Sequence, residues 1–285
     1  MTVIRGTTRL AAVIGYPVTH SRSPEILNAA FQAAGIDAVM VPIGAAPEDL
    51  AAAVAGLAAA RALGASVTVP HKVEVAAFCH ELAPAAQAIG AVNCLRFDDG
   101  RVIGHNTDAG GFVDSLAAAG FDPRGKRCVL LGAGGAARAV AHGLRAAGVE
   151  SPGGTLAVIA RRPATVAWAR AAPWTPEVLR DAFVTADLVV DCTPAGLAHD
   201  ADAEAAFVDA LPLGALRPAA WVATLVYHRR TIWLERARAR GHSTVDGRAM
   251  LVHQGARAFT IWTRRAAPIE AMTEALSEAL TPRGT

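Results

Sequence analysis

The run CVLLGAGGAARAVAHGLRAAG, residues 128–148, constrains this chain more than any other stretch. It places Gly132, Gly134 and Ala137 as G-x-G-x-x-A where an apolar, strand-like run gives way to a helical pattern. Residues with little or no side chain let backbone N–H groups approach a pyrophosphate, and the positive end of the following helix dipole attracts the same anion. The flanking strand and helix make the motif specific; without them it would read as a plain tight turn. Gly132, Ala133, Gly134, Gly135 and Ala136 are therefore candidate cofactor contacts.

The next apolar run ends AVIARRP. A site preferring NAD commonly carries an acid there to hold the ribose 2′-hydroxyl. Here the position carries Arg161 and Arg162, and two guanidiniums can grip a 2′-phosphate. The reading is NADP, with NAD still possible; the alternative is that both arginines are ordinary solvated charges.

Around this turn, strand-like and helix-like runs alternate, the pattern of a parallel sheet covered by helices. An N-terminal block contributes candidate strands at 10–15, 38–43, 65–69, 91–97 and 101–105. Ser23 before Pro24 reads as a helix N-cap, and Pro47 opens a second helix. A linking helix in TDAGGFVDSLAAAG and a turn in FDPRGK lead to the second block, which stops near GHSTVDG; beyond Gly247 the chain is helical. The expected organisation is α/β, with 1–106 and the returning segment 247–285 forming one domain and 107–246 the dinucleotide-binding domain.

Composition narrows the partners. A formal net charge of +2 supplies no basic field for nucleic acid or an acidic membrane surface. The four cysteines are widely spaced without a CxxC pair, so neither a metal site nor a disulfide framework is expected. No segment reaches about 18 uncharged apolar residues without a turn signal, and the expectation is a soluble cytoplasmic protein.

Rare residue types point to a second site. Lys72 and Lys126 are the only lysines among 27 basic residues, and Lys72 closes the β-branched run SVTVPHK. Two of the three asparagines fall in GAVN and HNTD, and Gln254 lies in DGRAMLVHQGA. Such groups at strand ends suit a ligand site on an α/β scaffold.

Taken together, IGYPVTHSRSPEILNAAF, GASVTVPHK, IGAVN, GHNTD, LLGAGGAARA, DCTPAG and DGRAMLVHQGA resemble, in order and spacing, the shikimate dehydrogenase and quinate/shikimate dehydrogenase family. The resemblance spans nearly the whole chain. It implies an N-terminal α/β substrate domain, a Rossmann domain, and C-terminal helices returning to the first domain. It also implies reversible oxidation of shikimate at its ring 3-hydroxyl, with reduction of 3-dehydroshikimate as the physiological direction, by a monomer or homodimer.

Residue by residue, the resemblance makes Lys72 and Asp108 the catalytic pair. Oxidising a secondary alcohol needs a base at the hydroxyl as the hydride leaves, and a lysine can serve where an arginine cannot. Without the motif, Lys72 would read as a surface lysine paired with Glu74 or Glu48. Ser21 and Ser23 match the hydroxyls that hold the substrate carboxylate. Thr68, Asn93 and Gln254 match hydrogen-bonding partners of the substrate, and Tyr227 a contact near substrate and nicotinamide. Thr193 and Gly247 match cofactor-side positions. His20 and His71 adjoin these motifs and read as packing or orienting groups.

The chain departs from the family at several of these places. Ser66 stands where asparagine is usual, and Thr224 where aspartate is usual. YHRRT lacks an Asn-Pro turn, ARRP replaces a common NRT clamp, and DCTPAG carries Asp191 and Pro194. The departures keep open a relative acting on quinate, an aminoshikimate or another cyclohexane carboxylate. A non-enzymatic sensor of a shikimate-like ligand is the reading from a different class; loss of Lys72, Asp108 or the glycine turn would have favoured it.

Overall fold

A computed structural model describes residues 3–197 and 200–281. The chain divides into two compact units: residues up to Gly111 together with those from Leu251 onward, and Phe112–Met250.

In the first unit the elements are β1 (Arg9–Gly15), α1 (Ser23–Ala33), β2 (Ala38–Gly44), α2 (Leu50–Ala59), β3 (Gly64–Val67), β4 (Glu81–Leu82), α3 (Pro84–Ile89), β5 (Cys94–Asp98), β6 (Arg101–His105) and the start of α4 (Asp108–Ala118). The sheet order is β2-β1-β3-β5-β6-β4. β1 runs parallel to β2 and β3, but β5 is antiparallel to both β3 and β6, so this sheet is mixed rather than parallel. The cause is local. Asp99 and Gly100 take φ of 46° and 80° between the paired residues Asp98 and Arg101, a two-residue hairpin turn that Asp-Gly favours.

Alternation along β1 builds two cores. Ala11 and Val13 pack with Leu27, Phe31, Phe259 and Met272, whereas Ala12 and Ile14 pack with Leu50, Val54 and Leu95. α9 (Gly247–Thr263) and α10 (Ile269–Leu280) supply Phe259 and Met272, so the chain's last helices complete the first unit's core. The indole of Trp262 donates to the Leu95 carbonyl at 2.9 Å. Asn28 on α1 donates to the Met40 carbonyl at 3.0 Å and accepts its amide at 2.7 Å, locking the helix to β2. The helix starts one residue earlier than its serine signal suggests. Ser23 is already helical, and the cap position falls on Arg22, which makes no side-chain cap. Pro47 opens a single tight turn, Pro47–Asp49, before α2.

The second unit contains β7 (Arg127–Leu131), α5 (Gly135–Ala146), β8 (Thr155–Ala160), β9 (Ala171–Pro173), α6 (Pro176–Thr185), β10 (Leu188–Asp191), α7 (Ala201–Asp209), β11 (Trp221–Thr224), α8 (Ile232–Ala239) and β12 (Ser243–Val245). Its sheet order is β12-β11-β10-β7-β8-β9 with every neighbour parallel. Counted within the unit this is 6-5-4-1-2-3, the doubly wound Rossmann order, whose switch point lies between β7 and β10. Leu131, Val189 and Val222 face a core with Trp233 and Phe183, and Leu130, Val190 and Ala223 face one with Phe112 and Val140. Among the described residues, no helix is long and apolar enough to cross a membrane.

Candidate active site

In the first unit, a polar cluster gathers where β3 and β6 end and β5 begins. Lys72 follows the β3 loop, and its backbone is fixed from two sides. The Val92 amide donates to the Lys72 carbonyl at 2.7 Å, and the neighbouring ring of His71, fully buried, hydrogen-bonds the Ala45 carbonyl at 2.8 Å. The Lys72 ammonium donates to Asp108 Oδ2 at 2.7 Å, with the lysine side chain 34% exposed and the carboxylate 14%. One partner is thus reachable and the other sheltered.

Asp108 is held on its other oxygen. Asn93 Nδ2 donates to Asp108 Oδ1 at 2.8 Å and to Thr107 Oγ1 at 2.9 Å, while the Thr107 amide returns a 2.6 Å bond to Asn93 Oδ1. Gln254, on α9, offers Oε1 to Asn93 and Thr107 at 3.4 Å each, and its amide donates to the Leu251 carbonyl at 2.9 Å. Asn106 completes the frame by donating to the Ala91 carbonyl at 3.0 Å. With Asn93, Thr107 and Gln254 all buried, this network fixes the carboxylate before any ligand arrives. Thr107 was not singled out from sequence. Its place inside HNTD was the available signal, but a threonine before a helix reads as a cap.

Ser21 and Ser23 lie together at the start of α1, where the Ser23 amide donates to Ser21 Oγ at 3.3 Å. Thr68 is half-buried and leans over Gly15, where an added Cβ would sit 2.5 Å from its methyl group. That close approach explains a glycine at the end of β1. Ser66 is 5% exposed and its hydroxyl meets no hydrogen-bond partner among the described residues.

The second unit carries the remaining singled-out residues. Gly132 takes φ +97°, and a Cβ there would stand 3.2 Å from the Cys192 carbonyl oxygen and 3.3 Å from the Thr193 methyl group. The turn at the end of β7 is therefore walled by the loop after β10, at the switch point of the sheet. Gly134, Gly135 and Ala136 are exposed, and a Cβ on either glycine would meet nothing within 4 Å. The start of α5 thus offers open backbone to an anion. Arg161 and Arg162 are exposed just past β8, the strand beside β7. Trp168, from the same segment, donates its indole N–H to the Ala133 carbonyl at 3.3 Å, a tie that no motif announced. Gly247 is buried, its amide donating to the Val226 carbonyl at 3.0 Å, and Tyr227 lies half-buried with its ring edge-on to His228.

Asp191 ends β10 beneath this loop. Its Oδ1 accepts the Thr193 amide at 2.9 Å and hydroxyl at 2.7 Å. Burial nonetheless pushes its carboxyl from 3.8 up to about 6, the two Thr193 bonds opposing the rise. The folded protein therefore binds this proton more tightly than the unfolded chain does. The stabilisation is complete below about 3.8 and is lost as the pH rises through about 6. Asp191→Asn, which keeps the Oδ1 acceptor, is expected to stabilise the protein at neutral pH by on the order of 2 kcal/mol. The advantage should shrink as the pH falls below about 6 and be gone by about 3.8; thermal denaturation of both proteins across that range checks it, and a gap independent of pH would contradict it.

Residues 13–95 match the family model for the shikimate dehydrogenase substrate binding domain, and residues 247–276 that for the shikimate 5′-dehydrogenase C-terminal domain. A relative from Moorella thermoacetica, named shikimate dehydrogenase (NADP(+)), is 42% identical over 98% of this chain and 96% of its own. The fold is similar to a crystal structure of shikimate dehydrogenase in complex with NADP+, with a TM-score of 0.87 and 32% identity over 99% of both chains. It is also similar to shikimate 5-dehydrogenase from Thermus thermophilus in complex with NADP(H) and shikimate, with a TM-score of 0.82 and 32% identity over 95% of this chain and 100% of that one.

Proposed function

The chain belongs to the shikimate dehydrogenase family, and from that premise we propose that it interconverts 3-dehydroshikimate and shikimate with NADP as hydride carrier. The observation that carries the reading is the Lys72–Asp108 pair at 2.7 Å, backed by the buried Asn93, Thr107 and Gln254 network. The first unit serves as substrate domain and the second as cofactor domain.

In oxidation, the Lys72 amine takes the proton of the substrate 3-hydroxyl; in reduction, its ammonium returns that proton to the carbonyl oxygen. Asp108 orients the amine through Oδ2, while Asn93 on Oδ1 keeps the carboxylate from turning away. Ser21 and Ser23 suit the substrate carboxylate, because two hydroxyls at the start of α1 can donate to an anion beside a helix N-terminus. Thr68, Asn93 and Gln254 serve the remaining hydroxyls. The Ser66 hydroxyl, buried and without a hydrogen-bond partner among the described residues, is a shorter polar group than the asparagine usual in the family at this place.

The second unit's donor set fits a dinucleotide. Gly132 to Ala136 present a side-chain-free turn with open space before α5, and Arg161 and Arg162 are exposed cations at the neighbouring strand end. Thr193 and Gly247 bound the same side of the sheet. When bound, NADP supplies the nicotinamide carbon that accepts or returns the hydride. Four unpaired cysteines suit a reducing compartment, which supports a cytoplasmic location.

Steady-state assays with shikimate or quinate, each with NADP+ or NAD+, test the proposal. Shikimate with NADP+ should give the highest kcat/KM. Turnover confined to quinate would move the assignment to that substrate, and none in any combination would leave a ligand sensor.

A further inference from the structure

The second unit holds a buried ion pair that the site described above does not use. Glu204, on α7, is 4% exposed, and its partner Arg229 lies between β11 and α8, within the YHRRT stretch. The guanidinium forks. Nη2 pairs with Glu204 Oε2, Nε donates to the Gly196 carbonyl at 2.8 Å, and Nη1 donates to the Arg230 carbonyl at 3.1 Å. The other Glu204 oxygen accepts the Ile232 amide at 2.8 Å. Gly196 takes φ +82°, and a Cβ there would stand 3.2 Å from Glu204 Oε1 and 3.3 Å from the Thr231 methyl group. A carboxylate buried this deeply is tolerated where charge and hydrogen bonds answer it; here both partners, Arg229 and the Ile232 amide, follow β11, and Arg229 reaches from there to the loop after β10.

What the fork holds leads back to the glycine turn. The loop is braced internally: the Leu197 amide donates to the Pro194 carbonyl at 3.0 Å, and the Ala195 amide to Thr193 Oγ1 at 3.2 Å. Thr193 is tied in turn to Asp191, and Cys192 and Thr193 wall the space beside Gly132. A displacement at Gly196 would therefore pass along one short, hydrogen-bonded loop to the wall of the turn. We propose that Arg229 and Glu204 are positioning residues for cofactor binding, acting through Gly196 to hold Thr193 in register with the glycine turn. This rests on the reading of the second unit as an NADP domain.

Arg229→Lys in the full chain separates the two halves of the fork. Lysine keeps a positive charge for Glu204, but its single nitrogen lacks the two separate donor positions, Nε and Nη2, from which Arg229 reaches the Gly196 carbonyl and Glu204. The expected result is a KM for NADP+ raised about five- to tenfold, a KM for shikimate changed less than about twofold, and hydrogen exchange of the Thr193, Ala195, Gly196 and Leu197 amides faster by about tenfold. A loss of packing alone would not divide the two KM values in this way. The double variant Glu204→Gln/Arg229→Met leaves no lone buried charge, and it should show the same split should Arg229→Lys fail to fold. Unchanged amide exchange, or faster exchange with an unchanged KM for NADP+, would overturn the proposal. Calorimetric titration of the unmodified protein with NADP+ distinguishes the levels. Absence of binding would overturn the NADP reading and the positioning role with it, whereas normal binding with an unchanged variant KM would overturn the positioning role alone.

Discussion

Lys72→Ala is expected to lower kcat for shikimate oxidation by roughly 10²- to 10⁴-fold, the range over which positioned acid–base groups act, with the KM for shikimate changed only severalfold. The asymmetry follows from the geometry. Asp108 keeps its Asn93 bond on Oδ1 when the amine is removed from Oδ2, so the polar wall survives while the proton acceptor is lost. Lys72→Arg separates charge from proton transfer, because the guanidinium preserves the charge beside Asp108 but does not give up a proton at accessible pH. It should therefore stay close to the alanine variant in kcat. Measuring both variants with shikimate deuterated at the reacting carbon adds a second readout, since slowed chemistry should expose a primary isotope effect. Wild-type turnover in Lys72→Ala would remove the lysine from the mechanism.

The second large effect concerns cofactor choice. Arg161→Ala/Arg162→Ala should reduce kcat/KM for NADP+ by about 10²- to 10³-fold and leave that for NAD+ nearly unchanged, because only NADP+ carries the 2′-phosphate. Each charge-assisted hydrogen bond to a phosphate is worth about 1.5–3 kcal/mol, so the loss of two is ample for that range. Both arginines are exposed past β8, and they can be removed without opening a core. The single variants should fall between. An unchanged NADP+ preference in the double variant would assign discrimination to other groups.

How much of this was legible in the sequence depended on the range of the interaction. The glycine turn could be read because its requirements are local: an apolar strand, residues without side chains, then a helix. The β7–α5 junction realises that reading. The Asp-Gly hairpin was equally local, yet the alternating pattern of strands and helices suggested parallel pairing, and the antiparallel β5–β6 pair went unremarked. Ser23 misled in a different way. Serine before proline is a sound capping signal, but α1 begins one residue earlier.

Longer-range contacts needed more than pattern. Lys72 and Asp108 lie 36 positions apart, and nothing in spacing alone joins them; only the family resemblance paired the two. Gln254 reaches the same cluster from 161 positions beyond Asn93. Glu204 and Arg229, 25 positions apart, had no motif to connect them and no rarity to mark them in an arginine-rich chain. Thr107 was hidden in plain view within HNTD, since its contribution depends on Asn93 folding against it.

The proposed activity delivers a hydride to one ring carbon. Incubating the protein with 3-dehydroshikimate and NADPH deuterated at both C4 positions, followed by mass spectrometry and NMR of the product, reads that event directly. The predicted product is shikimate with a single deuterium, on the ring carbon that bears the 3-hydroxyl. Unlabelled product, label at another carbon, or unreacted 3-dehydroshikimate would contradict it.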